Sequence, residues 1–232
     1  MNDIIINPID NHKYTLILLH GMNSSPNELL HIANVIKLNF KFLKIILLHS
    51  PNIDIDWPDG KEFNVNSWYN YYTRNDNLMI HDNINKIQYK EQYLKINNII
   101  KKENCLVGKN VILGGYSQGG TLAYDIILNS FNLIKAGFIF HSIFMDNIIR
   151  INKIKNIQIP IFIVSGKKDN IYNFKFQEKM INLLRSKDIL IYWKILENIT
   201  HCEYSNEEEI FFKKSLQLYI LSFLPETIKI GI

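Results

Sequence analysis

The chain has 232 residues, 47% of them hydrophobic, which is enough for one substantial core, and a single soluble domain over residues 1–232 is expected. The formal net charge of +4 comes from scattered lysines and arginines, which excludes a basic nucleic-acid-binding stripe and allows at most transient contact with an anionic membrane surface. Two cysteines, Cys105 and Cys202, make neither a disulfide framework nor a metal site, and no leader, lipid-anchor motif or membrane-length apolar run is present, so a cytoplasmic location is expected.

Taken in chain order, short apolar runs at 13–20, 41–50, 110–115, 135–142, 159–166 and 189–196 read as strands. Helix-like stretches separate them. Residues 173–186 put Phe176, Met180 and Leu183 on one helical face, and residues 206–224 do the same with Phe212, Leu216, Tyr219 and Phe223. Several strands are apolar on both faces, so the pattern predicts an α/β fold with a mostly parallel central sheet and helices on both faces. The segment at about 51–82, rich in Asn, Asp and aromatics, breaks the alternation as one long excursion, and long excursions are often functional.

Four of the ten glycines surround Ser117 in ILGGYSQGG. GYSQG fits GxSxG between a predicted strand and a predicted helix, the context in which that motif presents a serine on a strained turn. Side chains at Gly115 or Gly119 would crowd such a turn, and the first helical amides, beginning with Gln118, would face developing negative charge. The bland alternative is a glycine-rich turn with an incidental serine.

A serine hydroxyl needs a base and an orienting acid, which follow the serine in this architecture. Of seven histidines only His141 and His201 come after Ser117. Asp125, the one acid between Ser117 and His141, falls inside the helix and faces the wrong way, so His141 reads as a strand-end or core histidine. His201 follows the 189–196 strand in a loop, where a base is needed. Asp169 follows the 159–166 strand at its carboxyl end, where open α/β sheets keep their sites, a placement that Asp146, Asp188 and Glu197 lack. A second oxyanion donor is expected from the loop after the first strand, where His20-Gly21 leaves the Met22 amide free beside Gln118.

With these residues in hand, the chain resembles the acyl-protein thioesterase and carboxylesterase family of small α/β-hydrolases. The likeness is carried by LILLHGM, LLHSPN with NSWYNYY, VILGGYSQGGTLAYDIIL, PIFIVSGKKDNIY and ITHCE. It implies an α/β-hydrolase fold, Ser117, Asp169 and His201 as the catalytic triad, and Met22 with Gln118 as oxyanion donors. The loop after His20-Gly21 reads MNSSPNE, where the family usually carries a glycine-rich, acidic stretch.

The expected function is cleavage of acyl thioesters or esters through an acyl-enzyme, as a depalmitoylating acyl-protein thioesterase. The alternatives are a lysophospholipase or general carboxylesterase and, from another class, a non-catalytic acyl-binding protein on a hydrolase scaffold. The implied partners are an acylated protein or a lipid or ester substrate, with no nucleic acid, no metal and no cofactor, in a monomer or weak homodimer. Trp57, Phe63, Trp68, Tyr69, Tyr71, Tyr72 and Met79 crowd the excursion, and Trp68 is expected as a substrate-binding wall for the acyl chain. Core packing is the competing role for each. Cys202, beside the base, is not expected to act as a nucleophile.

Overall fold

Runs such as YTLILL and IFIVSG bury every residue, so alternate side chains need cover on both sides and the strands pair in parallel under helices. The computed structural model describes residues 2–72, 84–108, 110–144 and 157–222. Their strands are β1 (Ile4–Ile6), β2 (Tyr14–Leu19), β3 (Leu43–Leu48), β4 (Asn52–Trp57), β5 (Gly60–Asn66), β6 (Val111–Tyr116), β7 (Ala136–Phe140), β8 (Ile161–Gly166) and β9 (Ile191–Leu196). Their α-helices are α1 (Leu30–Asn39), α2 (Lys86–Val107), α3 (Ser117–Asn129), α4 (Phe174–Arg185) and α5 (Asn206–Ser222).

Seven strands form one sheet in the order β1-β3-β2-β6-β7-β8-β9, parallel throughout except for the antiparallel edge strand β1. The period-two alternation divides the core into two layers. Ile17, Leu113, Ile139 and Ile163 face α2, α3 and α4, whereas Leu16, Ile112, Phe138 and Val164 face α1 and α5. The predicted face of α5 is buried at Phe212, Leu216 and Tyr219, while Phe223 lies outside the described residues. On α4 the buried stripe runs through Gln177, Met180, Ile181 and Leu184, one step round from the expected one, with Phe176 and Leu183 only partly buried.

Two elements were not anticipated. β1 is a three-residue edge strand, too short for periodicity to register. The start of the excursion is a hairpin of β4 and β5, outside the main sheet. No described helix is long and apolar enough to cross a membrane.

The chain leaves β2 for β3 on one side and later returns to β6 on the other, so strand order reverses between β2 and β6. The carboxyl ends of strands flanking such a reversal open a crevice. The turn after β2 and the start of α3 meet there.

Candidate active site

β6 ends at Tyr116 and α3 begins at Ser117, with no linking residue. Reversal this abrupt places Ser117 at a φ of 50°, in the left-handed region that costs a side-chain-bearing residue about 1–3 kcal/mol. Sterics explain the flanking glycines. A Cβ on Gly119 would lie 2.4 Å from the His20 carbonyl oxygen, and one on Gly115 would lie 2.5 Å from the Gly119 carbonyl oxygen. Ser142, just beyond β7, braces the turn by donating from Oγ to the Ser117 carbonyl at 2.8 Å.

The glutamine after the serine has a task of its own. Its buried side chain accepts from the Trp68 amide through Oε1 at 2.9 Å and donates through Nε2 to the Tyr69 carbonyl at 2.8 Å. Gln118 therefore straps the middle of the excursion, at Trp68 and Tyr69, to the serine turn. Nothing in the local pattern announced either Ser142 or this strap, because both partners are remote in sequence.

Asp169 stands in the turn after β8, and His201 in the loop between β9 and α5. Ser117 Oγ lies 2.7 Å from His201 Nε2, and His201 Nδ1 lies 3.1 and 3.0 Å from Asp169 Oδ1 and Oδ2. The carboxylate is held from behind: Oδ1 accepts the Ile171 and Tyr172 amides at 2.9 and 2.7 Å, and Oδ2 accepts from Gln177 Nε2 at 3.2 Å. These donors compensate a buried charge and leave it one orientation. The Tyr172 ring meets the His201 ring edge-on, with centroids 5.0 Å apart. Three strand-end loops thus bring a hydroxyl, an imidazole and a carboxylate into one line, the arrangement in which a base withdraws the hydroxyl proton while the acid fixes its tautomer.

The loop after β2, where a second oxyanion donor is expected, rests on a histidine. The buried His20 accepts the Ser50 amide at Nε2, 3.1 Å away, which leaves the proton on Nδ1 to donate to the Gly21 carbonyl at 2.6 Å. Burial pushes the His20 pKa down to about 4, with the neighbouring His49 acting in the same direction against the Gly21 bond. The ring is therefore neutral near pH 7. In a trans peptide the carbonyl and the following N–H point oppositely, so fixing the Gly21 carbonyl also fixes the direction of the Met22 amide.

A cleft of about 440 Å³ opens over Ser117 and His201. Its walls come from the loop after β2, including Gly21, Met22 and Leu29, and from the loop after β9, including Cys202 and Tyr204. Trp68 is not among them. Contrary to the expected acyl wall, Trp68 is 0% exposed in the core, its ring against His20 and its Nε1 donating to the His20 carbonyl at 2.8 Å. Tyr69 and Tyr71 are buried too, and Tyr71 shares a hydroxyl contact of 3.0 Å with Tyr172. Large rings with a polar tip go inside when that tip finds a partner, and these do. Phe63 and Tyr72 are exposed, Trp57 is partly buried, and Met79 lies outside the described residues.

The competing acids fall elsewhere. Asp125 sits on α3, hydrogen-bonded to Tyr89 and Asn129, with burial pushing its pKa up to about 7 against the pull of those two bonds. Glu197 pairs with Lys167 on the surface, and Asp146 lies outside the described residues. His141 is fully buried at the end of β7. Among the described residues no cluster of His, Cys, Asp and Glu side chains is placed to hold a metal ion.

Comparison with known proteins places the chain in a family. The family model described as phospholipase/carboxylesterase matches residues 1–223. An acyl-protein thioesterase 1 of Cryptococcus neoformans var. neoformans is 25% identical over 187 residues, spanning 78% of this chain and 77% of that protein. The crystal structure of Zea mays acyl-protein thioesterase 2 superposes with a TM-score of 0.74 at 16% identity, covering 94% of this chain and 98% of that one. The Bacillus cereus carboxylesterase gives 0.71 at 17% identity, covering 95% and 94%. At such identities the two structures speak for the fold alone. The family match spans nearly the whole chain, with the serine turn at the heart of its sheet, and so the chain belongs to the phospholipase/carboxylesterase family of α/β-hydrolases and is a serine hydrolase.

Proposed function

We propose that the protein cleaves long-chain acyl thioesters on protein cysteines, with Ser117 as nucleophile, His201 as general base and Asp169 as the acid of the triad. The observation that carries this reading is the 2.7 Å approach of Ser117 Oγ to His201 Nε2, with both Asp169 oxygens on the other ring nitrogen. Ser117 Oγ attacks the acyl carbonyl as its proton passes to His201, and the Met22 and Gln118 amides stabilise the oxyanion. His201 then protonates the leaving thiolate or alkoxide. Water, deprotonated by His201, attacks the acyl-enzyme and releases the fatty acid and free Ser117. Asp169 holds the imidazolium throughout.

The thioester assignment draws on the acyl-protein thioesterase relatives, and a cytoplasmic enzyme meeting membrane-borne substrates transiently is the setting that accompanies it. A lysophospholipid offers the same carbonyl chemistry with a different leaving group. The test has two stages. A fluorophosphonate should label the wild type and not Ser117→Ala. Rates on a palmitoylated peptide, a lysophospholipid and a short-chain aryl ester should then rank the peptide first, and a higher catalytic efficiency on either ester would replace the thioester assignment.

A further inference from the structure

Behind Asp169 stands a second histidine and acid, which the triad chemistry leaves unused. His141, at the carboxyl end of β7, and Glu208, in the first turn of α5, are both completely buried. His141 Nε2 lies 3.0 Å from Glu208 Oε1. On the other side of the ring, His141 Nδ1 lies 4.0 Å from Asp169 Oδ2 and has no hydrogen-bond partner among the described residues. The imidazole thus stands between two buried carboxylates, one of them the acid of the triad.

Three further facts show that this placement is built. His141 adopts a φ of 44°, a backbone conformation that a side-chain-bearing residue keeps only where its surroundings impose it. The Tyr116 hydroxyl donates to the same Glu208 oxygen, and Tyr116 precedes the serine directly. The other Glu208 oxygen accepts the Ser205 amide at 3.1 Å, tying it to the loop that carries His201. Burying a carboxylate costs several kcal/mol unless it is compensated, and leaving one unpaired next to a second is worse. One ring nitrogen of His141 faces each carboxylate, so the imidazole fills the space between them. The titratable groups around the ring are Tyr116 from β6, Asp169 after β8, His201 after β9 and Glu208 from α5.

We propose that Glu208 and His141 are positioning residues for the triad: Glu208 orients His141, His141 restrains the Asp169 carboxylate from behind, and the Tyr116 bond couples that restraint to the serine turn. The inference rests on the triad proposed above, because it assigns the pair an effect exerted through Asp169. Neither residue touches substrate.

The test is a double-mutant cycle on a short-chain aryl ester, with melting temperatures recorded alongside. Glu208→Gln keeps the shape and removes the charge. It should lower kcat about tenfold or more and leave KM within about twofold. In an Asp169→Asn background the same change should alter kcat by less than about twofold, because the carboxylate through which it acts is gone. If Glu208→Gln does not fold, His141→Gln takes its place in the cycle, with the same expected result. Two outcomes overturn the proposal: kcat within about twofold of wild type in the folded single variant, or an equal loss in both backgrounds, which is what a purely structural role gives. Failure of the triad is distinguishable, since wild type that resists fluorophosphonate labelling would remove Ser117 as nucleophile. Labelled, active wild type with an unaffected Glu208→Gln variant would remove only the pair.

Discussion

The serine turn and the aromatic excursion converge on one another, yet they answer to different physics. In the turn, close backbone contact decides which residue is possible: a Cβ on Gly119 or Gly115 would come within 2.4 or 2.5 Å of a carbonyl oxygen. In the excursion the rings of Trp68, Tyr69 and Tyr71 fit equally well, on composition, as a substrate wall or as core. Their hydrogen-bond partners decide the matter: the Trp68 indole donates to the His20 carbonyl, the Tyr69 hydroxyl meets that of Tyr71, and the Tyr71 hydroxyl meets that of Tyr172, 101 residues away. A backbone constraint is written where it acts, whereas the destination of a large side chain is written in whatever packs on it.

The largest effects are expected at the turn itself. Ser117→Ala should fold normally and lose about a millionfold in kcat, measured against the same aryl ester. Near-normal turnover in a folded Ser117→Ala protein would sink the mechanism. Asp169→Asn should keep the geometry and favour the wrong tautomer of His201, at a cost of about four orders of magnitude in kcat. A loss confined to tenfold would mean that the carboxylate is a bystander.

On the excursion side, Trp68→Ala should behave as a core truncation, costing about 3–5 kcal/mol in urea unfolding. Since Trp68 also carries the His20 carbonyl, rates on acetyl, octanoyl and palmitoyl thioesters should fall by a common factor. A loss restricted to the palmitoyl substrate would return Trp68 to the acyl groove and blur the contrast between the two regions.

The smallest effect concerns pH and Asp125, where α3 meets Tyr89 of α2. The folded Asp125 carboxyl has its pKa raised to about 7, chiefly by burial, while the unfolded one titrates near 3.8. Between those values the native state binds the extra proton, so this contribution to stability is full below about pH 4 and is lost as pH rises through about 7. Urea midpoints should therefore fall between about pH 4 and pH 7 more steeply in wild type than in Asp125→Asn. Parallel slopes in the two proteins would show that Asp125 ionises freely in the fold.

By itself the sequence determined the six parallel strands and the strand-to-helix turn at Ser117, and it set the order in which an acid and a base would follow that serine. Apolar runs of strand length, glycine sterics and chain order act over a few residues and so can be read locally. The hairpin of β4 and β5 is readable in principle, since NIDIDW and GKEFNVN flank a PD turn, but the charged and Asn residues alternating along it carry little apolar signal. Tertiary structure alone decided the antiparallel edge strand β1, whose three residues carry too little pattern, and the burial of Trp68. It alone set Ser142 beneath the Ser117 carbonyl and Glu208 against His141, 67 residues away. These supports are long-range contacts made by residue types common anywhere in a chain. Only the assembled sheet, which gathers its strand ends at one crevice, gives them partners.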